Sequence, residues 1–153
     1  VAYTDFTFYS DTFHGDTLTE DTADKWLDRA SDELDVLTFE RLTFAFPNVE
    51  AHSTKIQKAV CAIADALCLI DIQQKAVSAQ LAADGTYRGA VTSISAGAES
   101  ISYAVNGAAS ASTYAAAAAS VEAQTTLIHS IAVKYLANVP DSNGVNLLYA
   151  GVK

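Results

Sequence analysis

Carboxylates are the chemically capable groups this chain carries most densely. Residues 16–42 read DTLTEDTADKWLDRASDELDVLTFERL, with only Lys25, Arg29 and Arg41 as cations. Acids that converge on one point can trade protons or hold a metal ion; acids spread along a surface can only set its potential. At about 100° per residue, Asp21, Asp24, Asp28, Asp32 and Asp35 fall along one face of a helix running from Glu20 to Leu37. Ala23, Trp26, Leu27, Ala30, Leu34 and Leu37 fall on the opposite face. The acids therefore form a stripe and not a pocket. Like charges at i,i+4 cost about 0.2–0.5 kcal/mol per pair. A face kept only for solubility would mix its signs more evenly. A negative, smooth surface without arginine clusters suits a protein that DNA passes without being held.

The other reactive side chains supply no site. His14, His52 and His129 are far apart in sequence and none sits in a metal-ligand spacing; His129, in an apolar helix, reads as a half-buried structural side chain. Cys61 and Cys68 lie two helical turns apart, ~10 Å, too far for a disulfide within one helix. They read as buried small apolar residues. The serines lack a nucleophile elbow, and no phosphate-binding glycine loop is present. Asp141-Ser142-Asn143-Gly144 resembles the start of a calcium loop but lacks the later acid, so it reads as a turn. No cofactor, no metal and no enzymatic activity are expected.

Composition bounds the alternatives. The chain has 153 residues, half of them apolar, and a net charge of −9. Residues 1–50 hold twelve acids and three bases, and residues 51–153 hold six of each, so the first third carries all the net charge. Gripping nucleic acid by its phosphates needs clustered Lys and Arg, which this chain lacks. No apolar run approaches the ~20 residues of a membrane span, and the N-terminus lacks a signal-peptide layout. These features lead to the expectation of a protein used in the cytoplasm, or in something assembled there.

The elements that position these residues follow from pattern. Residues 1–13, VAYTDFTFYSDTF, alternate loosely and predict an extended segment or short strand, broken by Gly15. Thr19 is a plausible N-cap, with Glu20 and Asp21 suiting the helix dipole. A second helix is expected from an N-cap at Ser53 to about residue 81, with Ile56, Val60, Ile63, Leu67 and Ile70 on its apolar face. It should be the most buried helix. Gly85 and Gly89 end it. Residues 89–105, GAVTSISAGAESISYAV, predict a β-hairpin turning at residues 96–98 and ending at Asn106-Gly107. A third helix over 109–138 would share Tyr114, Ala117, Ala118, Val121, Ile128, Ile131 and Tyr135 on one face. The tail VNLLYAGVK (145–153) is too apolar for a free end and is expected to dock. The expected fold is mainly α. One domain, 1–153, holds a bundle of about three long helices, an inserted hairpin and extended arms at both termini.

The order of these segments resembles the head–tail connector (adaptor) proteins of long-tailed phages and gene transfer agents. The likeness covers almost the whole chain. It runs from FTFYSDTFHGDTLTEDTADKWLDRASDELDVLTFERL, with its Leu-Thr-Phe-x-Arg signature, through KAVCAIADAL (58–67) and TSISAGAESISYAV. It ends with KYLANV (134–139) and LLYAGV (147–152). These are packing and contact motifs. Two departures stand out. Ala150 occupies a place where Arg is common, and the helix over 108–128 is unusually rich in Ala and Ser.

The resemblance implies a structural virion protein of the phage neck, assembled in the host cytoplasm as a homododecameric ring beneath the portal protein. Such a ring extends the DNA channel and offers a platform to stopper or tail proteins; DNA passes without specific binding and no membrane is involved. The C-terminal arm, 145–153, would reach the portal through Leu147, Leu148, Tyr149 and Val152. The hairpin, with Ile94, Ile101 and Tyr103, would meet the neighbouring subunit or the next ring. The acidic stripe would face the channel or the solvent. Two other readings stand beside this one: a stopper or tail-terminator ring, and a small acidic helical regulator that binds a basic protein through residues 20–35.

Overall fold

The computed structural model describes residues 2–79, 91–95, 100–103 and 113–150. The chain is mainly helical, with six helices among the described residues. Its contacts divide it into two units, one of Val1–Cys68 with Ile128–Lys153 and one of Leu69–Leu127.

In the first unit the N-terminal segment is not extended. Phe6–Asp11 is a helix, α1. Asp5 caps it, accepting a bond from the Phe8 amide at 2.9 Å. The aromatic spacing explains the difference from a strand. Phe6, Tyr9 and Phe13 recur at three and four residues, which is helical spacing. Their rings lie 6.0 Å and 5.8 Å apart in sequence order. Gly15 then passes so close to the Tyr9 ring that a Cβ there would overlap Cζ and Cε2.

Helix α2, Glu20–Leu37, has the expected bounds, with Thr19 extended at the N-cap. The Thr19 amide donates to Thr22 Oγ1 at 3.2 Å. Ala23, Trp26, Leu27, Ala30 and Leu34 are buried, as the periodicity requires. The helix ends where the Thr38 hydroxyl folds back on the Leu34 carbonyl at 2.8 Å. Phe39 and Glu40 follow, both with left-handed backbone at φ 56° and 59°. A short helix, α3, spans Arg41–Phe44.

Helix α4, Glu50–Ala79, starts three residues before the expected cap at Ser53. The amides of His52 and Ser53 both bond to the Val49 carbonyl, and Ser53 Oγ turns onto the Glu50 carbonyl at 2.9 Å. The serine therefore sits inside the first turn. Ile56, Val60, Ile63, Leu67 and Ile70 are all buried. Cys61 is fully buried and Cys68 partly so, and neither forms a disulfide.

The long third helix is two helices in the structure. Thr113–Ala119 forms α5 and Val121–Leu136 forms α6. Ser120 makes the break by capping α6, its Oγ accepting from the Ala123 amide at 3.3 Å. Val121 is consequently 82 % exposed and does not share the buried face. Ile128, Ala132 and Leu136 form that face at i, i+4 and i+8.

The core of the first unit gathers Tyr9 from α1 and Trp26, Leu27 and Leu34 from α2. Ile56, Val60 and Ile63 join from α4, and Ile128 and Leu136 from α6, with Val139 and Leu147. Asn138, left-handed at φ 63°, ends α6. Residues 141–144 form a tight turn organised by Asp141, whose Oδ1 accepts from the Asn143 and Val145 amides at 2.8 Å and 2.9 Å. The chain then runs back antiparallel, with Pro140 opposite Asn146 and the Leu147 amide bonded to the Val139 carbonyl at 2.9 Å.

In the second unit, Val91–Ser95 (β1) and Ser100–Tyr103 (β2) pair antiparallel, with Ile94 opposite Ile101 and Val91 opposite Tyr103. Lys75 pairs with Asp71 at 2.7 Å, and Ala117 is buried. The expected helix end at residue 81, the breaks at Gly85, Gly89 and Asn106-Gly107, the turn at 96–98 and the helix start at 109–112 lie outside the described residues.

Candidate interaction site

Arg41 is the residue around which a site can be built. It lies in the LTFERL stretch, yet only 6 % of it is exposed. Its Nη1 donates to the carbonyl of Asn146 at 2.9 Å and to that of Tyr149 at 2.5 Å. The guanidinium also lies 5.8 Å from the Phe39 ring centre and 6.0 Å from that of Tyr149. The arginine thus ties the C-terminal segment to the loop after α2. Its Nε has no hydrogen-bond partner. None of the ion pairs among the described residues involves Arg41. Its charge is answered within the described residues by the Asn146 and Tyr149 carbonyls rather than by a carboxylate.

The C-terminal anchors expected from the sequence separate here. Leu147 is fully buried in the subunit's own core, so it is not an exposed anchor. The turn organised by Asp141 returns the chain alongside Val139, and Leu147 joins the same core as Leu136 and Val139. Leu148 is half-buried against the same core, and Tyr149 is 57 % exposed. Val152 lies outside the described residues. Leu147 therefore belongs to the subunit's own core, although the resemblance implied a portal contact for it.

Large apolar side chains are exposed near Arg41 in sequence or across its guanidinium, beside the exposed Glu40 and Thr43. Val36, Phe39, Phe44 and Tyr149 are all more than half exposed. Elsewhere on α2, Asp21, Asp24, Asp28 and Asp32 are exposed, so four of the five stripe acids face outward. Asp35 departs from them: it is half-buried and accepts the Tyr3 hydroxyl at 2.5 Å. Burial, then this bond, push Tyr3 up to about 12. Lys25 and Arg29 do not lie along the stripe. They fold over the Trp26 ring at 4.3 Å and 5.1 Å.

A second polar centre lies inside the first unit. Tyr9 is fully buried, and its hydroxyl donates to Asp65 Oδ1 at 2.6 Å. The same oxygen accepts from the amides of Thr17 at 2.9 Å and Leu18 at 3.0 Å. Desolvation raises the Asp65 carboxyl above the ordinary range, and burial raises Tyr9 to about 12. Tyr9 therefore stays a donor at neutral pH. The centre fixes the chain entering α2, with Tyr9 fully buried and Asp65 half-buried. Burial likewise raises the Cys61 thiol to about 12, so it is not a nucleophile.

Ala2, Tyr3, Thr4, Asp5, Phe8, Asp11 and Gln57 line an open groove of about 640 Å³ beside α1. His14 and His129 are exposed, the latter against expectation, because it falls outside the α6 face that Ile128, Ala132 and Leu136 bury; His52 is half-buried. No cluster of three metal-ligating side chains occurs among the described residues. No helix there is long and apolar enough to cross a membrane. Ile94, Ile101 and Tyr103 are placed by backbone register alone.

Sequence reasoning missed the joining of Arg41 to the C-terminal segment and the Tyr9–Asp65 centre. The first had a signal: a lone cation in a stretch, TFERLTFAF, that is otherwise rich in aromatic and apolar residues. The second had none, since Tyr9 and Asp65 are 56 residues apart. Comparison with protein-family models, with curated proteins and with solved structures finds no match to this chain.

Proposed function

We propose that this chain is a non-enzymatic structural subunit of a phage-type neck. It forms the head–tail connector ring beneath a portal protein, as a bundle of long helices with an inserted hairpin and a C-terminal arm. The observation that carries the reading is the Arg41 joint. Two of the stretches in which the chain resembles connector proteins, LTFERL and LLYAGV, are distant in sequence yet bonded to each other through Arg41. Motifs of packing and contact are expected to meet in this way, whereas catalytic motifs would converge on a cleft. In this reading Tyr149, with Leu148 beside it, reaches the portal. The strand pair meets the next subunit or ring, and stopper or tail proteins dock on the far side.

The exposed acids at Asp21, Asp24, Asp28 and Asp32 support a ring whose wall or flank repels DNA. They also keep alive the reading of an acidic regulator that binds a basic protein. Salt separates the two. Exposed charge pairs are screened over ~8–10 Å at moderate ionic strength, whereas apolar docking is not weakened by salt. Binding of the protein to the portal of the same particle is expected to persist in high salt. Capture of a basic partner that fades as salt rises, with no portal binding, overturns the connector reading. Binding to tail proteins alone moves the assignment to a stopper or terminator ring.

A further inference from the structure

We propose that Asn143-Gly144 is a site of spontaneous covalent modification. Asn143 loses ammonia to become aspartate or isoaspartate, and the product unfastens the turn that returns the C-terminal segment to the core. The chemistry starts from the residue types, asparagine being among the thermolabile ones. The Gly144 amide nitrogen attacks Cγ of Asn143 and gives up its proton to solvent. The bond from Cγ to the side-chain nitrogen breaks, and that nitrogen leaves as ammonia, taking up a proton. The succinimide ring that remains is opened by water at either carbonyl. One opening gives aspartate; the other gives isoaspartate, with the main chain routed through the side chain. The step needs access of the nitrogen to Cγ, and a side chain on the following residue obstructs it.

Access distinguishes Asn143 from the other described asparagines. Asn48 and Asn138 precede the β-branched Val49 and Val139, and Asn146 precedes Leu147. Val139 and Leu147 are fully buried, and their amides are bonded to the Leu136 and Val139 carbonyls. Asn143 and Gly144 are both exposed. Gly144 carries no side chain, and no described atom beyond its chain neighbours lies within 4 Å of where a Cβ would stand. Its φ of 83° is in the left-handed region that glycine enters freely. One bond restrains the nucleophile: the Gly144 amide donates to the Asp141 carbonyl at 3.1 Å. That bond closes one turn through exposed residues, and such turns open locally at low cost. The reaction is therefore slowed in the folded protein and not prevented.

The turn is ill suited to its product. Asp141 is only 4 % exposed; its Oδ1 already accepts from the Asn143 and Val145 amides, and its Oδ2 has no hydrogen-bond partner among the described residues. A second carboxylate two residues on sets like charges side by side. Isoaspartate also adds one atom to the main chain between Asp141 and Val145. The bonds that straddle this turn depend on its length. The Asp141 amide donates to the Val145 carbonyl at 2.7 Å, the Leu147 amide to the Val139 carbonyl at 2.9 Å, and Pro140 stands opposite Asn146. An added atom shifts that register, and with it the segment that leads to Tyr149.

The test incubates the full chain at mildly alkaline pH, folded and in urea, and samples both over time. Digestion with pepsin in acid stops the reaction, and mass spectrometry with fragmentation that tells isoaspartate from aspartate reads each asparagine separately. Asn143 is expected to convert progressively in the folded protein, more slowly than in urea, while Asn48, Asn138 and Asn146 keep their amides. The converted protein carries one more negative charge, so ion exchange separates it for hydrogen exchange. Faster exchange at Val145 and Leu147 than in the unconverted protein is expected. Asn143→Ser, incubated in the same way, should show no change in exchange at these positions with age. An Asn143 that remains an amide in the folded protein overturns the proposal, whatever the sample in urea does. So does equal conversion at Asn48, Asn138 or Asn146, because access would then select nothing. Conversion with unaltered exchange at Val145 and Leu147, or an equal rise in aged Asn143→Ser, overturns the claim that the product unfastens the turn.

Discussion

Tyr9 shows how much one side chain can organise. Its hydroxyl serves Asp65, Thr17 and Leu18 at once inside the core. Tyr9→Phe leaves these groups unanswered and is expected to lower stability by about 1–3 kcal/mol in urea unfolding. Gly15→Ala should be as damaging, since the new methyl has to displace the Tyr9 ring. Asp65 gives the pH dependence. Its carboxyl is raised in the folded state, first by desolvation, so the native protein holds this proton more tightly than the unfolded chain. Its contribution favours folding below the ordinary carboxylate value of about 4 and is lost as pH rises through the raised value. Asp65→Asn keeps an acceptor for Tyr9 and has no proton to lose. Wild type should therefore lose stability relative to Asp65→Asn as pH rises across that window. Parallel stability profiles for the two proteins would show that Asp65 carries no such term. Nothing in the sequence pointed to this centre, because tertiary packing alone brings α1 and α4 side chains together.

At the scale of elements, periodicity was a good guide wherever burial set the pattern. The bounds and buried face of α2 and the buried face of α4 are legible in the spacing of Ala, Leu, Ile and Val. It failed where a local polar bond decided the matter. Asp5 makes a helix of an apparently alternating segment, Val49 starts α4 ahead of Ser53, and Ser120 cuts one expected helix into α5 and α6. The C-terminal segment shows the same limit. Apolarity signalled docking, but could not say that Leu147 docks at home while Tyr149 faces outward. Leu147→Ala should cost about 2–5 kcal/mol, as for other fully buried leucines. Tyr149→Ser should leave the unfolding midpoint nearly unchanged and impair portal joining. Equal stability losses for the two substitutions would contradict the division of the arm. Arg41→Ala should loosen this segment, measured as faster hydrogen exchange at Leu147 and Tyr149, because two carbonyls lose their donor.

At the scale of the molecule, the helical class and the uneven charge were readable from composition and pattern. The surface that distinguishes this chain was not, because it depends on Arg41 meeting residues more than a hundred positions away. The acidic helix face and the exposed apolar side chains near Arg41 are the surface features on which the connector reading rests. The most direct test of the connector reading is mass photometry of the purified protein, alone and mixed with the portal protein of the same particle. The reading predicts one discrete, ring-sized mass added to the portal, unchanged at high salt. An intact portal that gains no mass would contradict it and direct the search to the tail proteins.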